Sequence, residues 1–309
     1  MVRIAWRSRF IVVLGAALAL TLTSCSEGRG SGVQTPSGSG GGGEPSDAGG
    51  AAIPMGGSSC GASVWPVSGD YALDVDGTER TFIVHVPDDY DSNTAYKLVL
   101  AWHGFAGTAE QVAAADDSDN HGRFFGLEPR AQGSAIFVAG QGLDATLLGQ
   151  TAPGWDDDGR DVAFVHALLE WLSESYCIDD AHIFSAGVSM GGYFSNQVGC
   201  EMSDRFRAVA SIIGGGPLEY GVQCTEPMAA WITHGNMDRI NPYSQGEGSR
   251  DHWSSTNRCS STTAAVAPAD CVAYEGCDEG FPVHWCPFEG GHVIPDFASE
   301  GIWSFFSQF

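Results

Sequence analysis

The six residues Gly187-Val188-Ser189-Met190-Gly191-Gly192 constrain this chain more than any other stretch. They follow His182 to Ser185, which reads as a strand, and they open a stretch from Met190 to Cys200 that reads as a helix. A strand that turns directly into a helix crowds its own backbone, so small residues must flank the serine. The serine then sits on the outside of the turn, with its hydroxyl raised above the edge of a sheet. G-x-S-x-G by itself arises easily by chance in a chain with 42 glycines, and the strand–turn–helix context is what gives it meaning.

The rest of the chain supplies the sheet. Tyr71 to Val75 and Arg80 to Val86, separated by Asp76-Gly77, have the pattern of a hairpin. Lys97 to Trp102 and Ser134 to Ala139 are near-continuous apolar runs, as strands buried on both faces are. From Arg160 to Ser175, Val165, Leu168, Leu169 and Leu172 keep the spacing of an amphipathic helix. Further strands fit Ala208 to Ile213, Met228 to Thr233 and Val283 to Phe288, and Ala298, Ile302, Phe305 and Phe309 return to helical spacing. Alternating strands and helices predict an α/β fold: a mainly parallel sheet with helices on both faces. There is no internal repeat.

A serine hydroxyl is a weak nucleophile until a base takes its proton, and the base needs a carboxylate to orient it. In a strand–turn–helix setting of this kind the chain order is serine, carboxylate, histidine. Asp238 lies just past the strand Met228 to Thr233, at the sheet edge where catalytic loops gather, whereas Asp251, Asp270 and Asp278 follow no strand so closely. His292, in Gly290-Gly291-His292, follows the strand ending at Phe288, and its two glycines allow the loop to turn back towards the serine. Its rival His284 lies inside the strand pattern and is expected to pack. His103 and His234 each end a buried strand and are expected to make structural hydrogen bonds near the site. A developing oxyanion requires fixed N–H donors. Met190 supplies one, and the other is expected from Phe105 in His103-Gly104-Phe105-Ala106-Gly107, with Gly104 and Ala106 as alternatives. Trp155 offers a flat apolar surface that is expected to line the acyl or alcohol pocket, with core packing as the alternative. Asp156-Asp157-Asp158 reads as a solvated loop at a helix start.

Fourteen basic residues oppose 38 acidic ones, a formal charge of −24, and Lys97 is the sole lysine. Such a surface repels polyanions, which excludes nucleic acid as a partner and disfavours acidic pectins, while neutral polymers remain open. Residues 1–24 read as an export signal, with Arg3, Arg7 and Arg9 ahead of the apolar run Phe10 to Leu22. Loss of those three arginines takes the charge from −24 to −27. Leu22-Thr23-Ser24-Cys25 resembles a bacterial lipobox, which implies lipidation of Cys25, attachment to a membrane by that anchor alone, and an outer-membrane or cell-surface location. Residues 25–59 are rich in Gly and Ser and hold no aromatic residue, so they are expected to form a flexible tether with a reach of roughly 30 Å. The folded domain is expected over residues 60–309. Its eight cysteines read as four disulfides of an exported protein, with Cys271 to Cys277 the expected local pair. No C-x-x-C pair is present and no calcium-ligand pattern appears, so no metal site is expected. The segment from Cys259 to Cys286 shows little sign of regular structure. Oligomeric state is not legible.

These residues carry a family resemblance. Arg80 to Pro87, His103-Gly104, Gly154-Trp155, Gly159 to Phe164, Tyr176 to Asp179, Gly187 to Gly192 and His234-Gly235 with Asp238 are similar to the feruloyl esterase and polyhydroxybutyrate depolymerase-like group of α/β-hydrolases, related to carbohydrate esterase family one. Cys271 to His292 is similar to the feruloyl esterase branch. The resemblance implies an α/β-hydrolase fold and ester hydrolysis through an acyl-enzyme on Ser189, with Asp238 and His292 completing the triad and no cofactor. It implies a hydroxycinnamate ester of plant xylan as substrate, with acetylxylan, polyhydroxybutyrate or aromatic polyesters as alternatives; the tether makes small soluble esters plausible too. A different class of explanation is a surface protein that kept the fold to hold polysaccharide without catalysis.

Overall fold

The computed structural model describes residues 59–114, 121–156, 158–217, 224–268 and 270–309. The expected signal, Cys25 with its expected lipid, and nearly all of the expected tether lie outside the described residues.

Among the described residues, ten strands form one sheet. In chain order they are β1 (Gly69–Val75), β2 (Thr78–His85), β3 (Tyr96–Trp102), β4 (Ala135–Gly140), then β7 (Ile178–Val188), β8 (Ala208–Ile212), β9 (Ala229–Gly235), β10 (Thr263–Val266), β11 (Cys271–Tyr274) and β12 (Val283–Phe288). The remaining two, β5 (Asp144–Leu147) and β6 (Gln150–Pro153), make a separate hairpin. The sheet order is β1-β2-β4-β3-β7-β8-β9-β12-β11-β10. The six central strands from β4 to β12 run parallel, and antiparallel pairs close both edges.

The apolar run of β3 shows why a parallel strand reads as continuous hydrophobicity. Leu98, Leu100 and Trp102 enter one core layer, whereas Val99 and Ala101 enter the other. Helices α3 (Arg160–Ser175), α4 (Met190–Glu201) and α5 (Tyr243–Thr256) cover the first face through Leu168, Leu172, Phe194 and Trp253. Helices α1 (Ala109–Ala113), α2 (Leu127–Ala131) and α6 (Ala298–Phe306) cover the second through Val112, Leu127, Ile302 and Phe305. The expected α/β architecture is therefore the observed one.

Four disulfides tie the loops to this frame: Cys60–Cys177, Cys200–Cys224, Cys259–Cys277 and Cys271–Cys286. The expected Cys271 to Cys277 pair does not form. Val272 stands opposite Trp285 in the antiparallel β11–β12 pair, which brings Cys271 across from Cys286. Cys277 lies past the end of β11 and meets Cys259, three residues beyond α5. The stretch expected to lack regular structure thus holds three strands.

Candidate active site

β3 lies between β4 and β7, so the chain leaves β3 on one side and returns on the other. Loops diverge at such a switch point and open a crevice at the carboxyl ends of the strands. Ser189 follows β7 directly and has φ +54°, the strained backbone that a sharp turn imposes on a residue with a side chain. Crowding behind it is severe: a Cβ on Gly191 would lie 2.2 Å from the Trp102 carbonyl oxygen. Ser189 N–H donates to Ile212 O at 2.9 Å, which fixes the turn to β8.

Asp238 and His292 arrive on the loops after β9 and β12, which are neighbours in the sheet. The two loops are laced together, since Asn236 N–H donates to Phe288 O at 3.0 Å and Met237 N–H donates to Gly290 O at 2.8 Å. Gly235 must lack a side chain because a Cβ there would lie 2.5 Å from the carbonyl oxygens of both Gly290 and Gly291. The result is a continuous relay. His292 Nε2 is 2.9 Å from Ser189 Oγ, and His292 Nδ1 is 2.7 Å from Asp238 Oδ2. A carboxylate only accepts, so the Nδ1 atom carries the proton and Nε2 is free to take one from the serine.

Asp238 is fully buried in its side chain, and its Oδ1 accepts the N–H groups of Ile240 and Asn241 at 2.9 Å each. His234 sits behind it, with Nε2 2.9 Å from Asn241 O and 3.5 Å from Asp238 Oδ2, and burial depresses its pKa. It is a buttress of the Asp238 loop, as expected from its place at a strand end. The competing groups are elsewhere engaged: Asp251 and Asp278 pair with Arg250 and Arg258, and His284 packs its ring 4.7 Å from that of Phe305.

Ser189 forms the floor between two clefts. The first, of about 420 Å³, is lined by Phe105, Gln111, His121, Ile213, His292 and Ile294. The second, of about 450 Å³, is lined by Leu147 and Leu148 of the hairpin together with Met190, Tyr193, Ile240 and Asn241. Tyr193 is one helical turn beyond Ser189 and donates its hydroxyl to Asn241 Oδ1 at 2.7 Å. Sequence reasoning did not single out Tyr193, Asn241 or the hairpin leucines. The four-residue step from Ser189 to Tyr193 is the one signal that could have found any of them.

Trp155 also borders the second cleft, but only 1% of it is exposed. Its ring stacks on Phe194 at 4.5 Å, and its Nε1–H donates to His103 O at 2.8 Å. This corrects the substrate-facing expectation: the indole is a core residue that shapes the cleft from behind. Asp156 and Asp158 both pair with Arg160 at the start of α3. Below Trp155, a buried ion pair holds its loop. The Arg80 guanidinium donates to Asp161 Oδ1, and Asp161 Oδ2 accepts Asp156 N–H at 2.7 Å. Burial lifts the Asp161 carboxyl and depresses the Arg80 guanidinium, and each charge counters the other's shift. Among the described residues, no cluster of three or more His, Cys, Asp or Glu side chains is placed to hold a metal.

No family model matches the chain. Feruloyl esterase D of Neurospora crassa is 30% identical over 277 residues, which are 84% of this chain and 92% of that protein. The chain belongs to the feruloyl esterase family. Feruloyl esterase C of Emericella nidulans is a similar relative of the esterase, 31% identical over 270 residues, or 83% of this chain and 94% of that one. Among solved structures, the esterase is similar in fold to a CE1 ferulic acid esterase from Anaeromyces mucronatus, with a TM-score of 0.54, 17% identity and coverage of 79% and 91%. It is likewise similar to an acetyl xylan esterase from Aspergillus awamori, with a TM-score of 0.57, 13% identity and coverage of 77% and 98%. The esterase is a carboxylic ester hydrolase of the α/β-hydrolase fold.

Proposed function

We propose that this chain hydrolyses hydroxycinnamate esters of xylan, with Ser189 as nucleophile, His292 as general base and acid, and Asp238 as the group that orients His292. The observation that carries this reading is the unbroken relay from Asp238 Oδ2 through His292 to Ser189 Oγ, at a floor shared by two clefts.

In the first half-reaction, Ser189 Oγ bonds to the ester carbon while its proton passes to His292 Nε2 and the carbonyl electrons move to oxygen. The oxyanion is held by Met190 N–H, a first-turn donor of α4 with no protein acceptor among the described residues, and by Phe105 N–H on the loop after β3. Collapse breaks the ester C–O bond, and His292 hands its proton to the departing alcohol. Water then repeats the sequence on the acyl-enzyme.

Proton delivery also sorts the clefts. The leaving oxygen must lie within reach of His292 Nε2, so the alcohol belongs in the first cleft, which His292 itself lines. Gln111 and His121 offer polar contacts there that suit a sugar. The acyl group then lies in the second cleft, where Leu147, Leu148 and Ile240 give apolar faces for an aromatic ring. The names of the curated relatives agree with such an acyl group.

The test is a panel of methyl ferulate, acetylated xylan and polyhydroxybutyrate film with wild type and Ser189→Ala. Methyl ferulate turnover that disappears in the variant is expected. Clearing of the film with methyl ferulate untouched would overturn the substrate, and wild-type turnover by Ser189→Ala would overturn the triad. The same proposal includes export by residues 1–24, a lipid on Cys25 and a tether ahead of the domain. Incorporation of labelled palmitate in a bacterial host, lost in Cys25→Ala, is the expected result for that part.

A further inference from the structure

We propose that His103 is a positioning residue that fixes the Gly104–Phe105 peptide so that the Phe105 N–H faces the developing oxyanion. The proposal rests on the reading of Ser189 as the nucleophile.

The Gly104–Phe105 peptide runs beside the reacting atom. A Cβ on Gly104 would lie 3.4 Å from Ser189 Cβ and 3.4 Å from Val188 O. In a planar trans peptide the carbonyl of one residue and the N–H of the next point in opposite directions. Whatever holds Gly104 O therefore aims Phe105 N–H. Two donors hold it: His103 Nδ1 at 2.7 Å and Gly107 N–H at 3.0 Å. Among the described residues, Phe105 N–H has no protein acceptor, so it is left for a ligand. A flipped peptide would lose both bonds and turn the carbonyl oxygen towards the place where negative charge develops.

The imidazole can do this because its protonation is fixed from its far side. A carbonyl only accepts, so Nδ1 must carry the hydrogen. Gly142 N–H only donates, and it reaches Nε2 at 3.0 Å, so Nε2 must be bare. Gly142 is itself immobilised, since a Cβ there would lie 2.1 Å from Gly154 O. The ring is 1% exposed and lies 5.0 Å from that of Trp155. Trp155 Nε1–H holds His103 O, and Pro153 O accepts Ala106 N–H at 2.7 Å. The loop is thus clamped before and after the peptide in question, while the shorter of the two bonds on the peptide itself comes from His103. A space-filling role would require none of this directionality.

Two polar substitutions separate the roles of the ring nitrogens. The amide nitrogen of His103→Asn falls near the position of Nδ1 and can still donate to Gly104 O. The longer His103→Gln reaches the Nε2 position and can satisfy Gly142, but not Gly104. On methyl ferulate, His103→Gln and His103→Leu are expected to lose about 10- to 100-fold in kcat with KM within about threefold, and His103→Asn to keep most of kcat. Phenylboronic acid forms a tetrahedral adduct with Ser189 that carries negative charge. Its Ki is expected to rise in Gln and Leu by the factor that kcat/KM falls, and to stay near wild type in Asn. Melting temperatures of the folded variants accompany the kinetics. Equal activity of the Asn and Gln variants, or losses that follow melting temperature with unchanged boronate affinity, would overturn the proposal. Full activity of His103→Leu beside an inactive Ser189→Ala would overturn it alone, whereas full activity of Ser189→Ala would overturn the underlying reading.

Discussion

Asp238 Oδ2 lies 2.7 Å from His292 Nδ1, while the other oxygen of the same carboxylate is held by two backbone N–H groups. The carboxylate is therefore aimed before His292 makes use of it. Asp238→Asn would keep the shape but place an amide against Nδ1, and His292 would shift its hydrogen to Nε2, where it cannot accept the serine proton. A loss of about ten-thousand-fold in kcat is expected, with the fold intact. Steady-state kinetics on methyl ferulate with circular dichroism of the variant checks this.

Leu148 is 94% exposed and has φ +50°, followed by Gly149 at φ +79°. Two successive positive φ values make the turn of a tight hairpin, where Asn-Gly is favoured and a leucine is strained. An apolar residue kept there at a cost to stability fits a contact with substrate. Leu148→Asn is expected to raise stability by about 1 kcal/mol, and to lower kcat/KM on methyl ferulate more than on p-nitrophenyl acetate. Thermal unfolding and the two substrates together check it; an equal loss on both esters would count against the acyl side assigned to this cleft.

The Arg80–Asp161 pair is almost wholly buried, with exposures of 2% and 0%. Arg80→Met takes the nearer countercharge from a buried carboxylate, leaving it Arg160 Nε at 3.8 Å, and is expected to cost about 3 kcal/mol. Adding Asp161→Asn removes the buried charge and should recover part of that loss. Denaturant unfolding of the single and double variants measures the difference, which reports the coupling directly.

Burial pushes the His284 pKa down from 6.5 to about 4. The folded protein thus keeps this ring neutral where the unfolded chain would protonate it. Stability from this source is complete above pH 6.5 and is lost as pH falls towards 4, by about 3 kcal/mol in total. His103, His234 and His252 are depressed in the same direction and add to the slope. His284→Leu is expected to flatten the acid limb of the stability curve, as measured by unfolding free energies at pH 7 and pH 4.5.

Elements that bury a regular face were legible in the sequence. Arg160–Ser175 is the helix expected from its apolar spacing, and the β3, β4, β8 and β12 runs differ from expectation by a residue or so at their ends. Helix α5 was not anticipated, because it buries little beyond Gly246, Ser249 and Trp253 and leaves no apolar stripe to read. Strands β5, β6, β10 and β11 have four residues each, too short for an alternation to stand out. For the candidate site, Ser189, Asp238 and His292 follow from chain order and strand ends, and the structure brings them within hydrogen-bond distance of one another. The walls of the two clefts do not follow, since Leu148 of the β5–β6 turn, Tyr193 of α4 and Ile240 of the loop after β9 meet only through tertiary packing. Cysteine pairing failed for the same reason: Cys271 and Cys286 are 15 residues apart in sequence but opposite in the sheet.

The Cys60–Cys177 bond joins the start of the domain to the residue before β7, whereas Ser189 lies at the far end of that strand. An 11-residue strand spans roughly 35 Å, so the chain enters the domain at the pole opposite the clefts. A pull applied upstream of Cys60 would be delivered through a covalent link to the base of the central sheet. Mechanical load applied there would then bypass the sheet edge that carries Ser189, Asp238 and His292, and would leave their mutual spacing undisturbed.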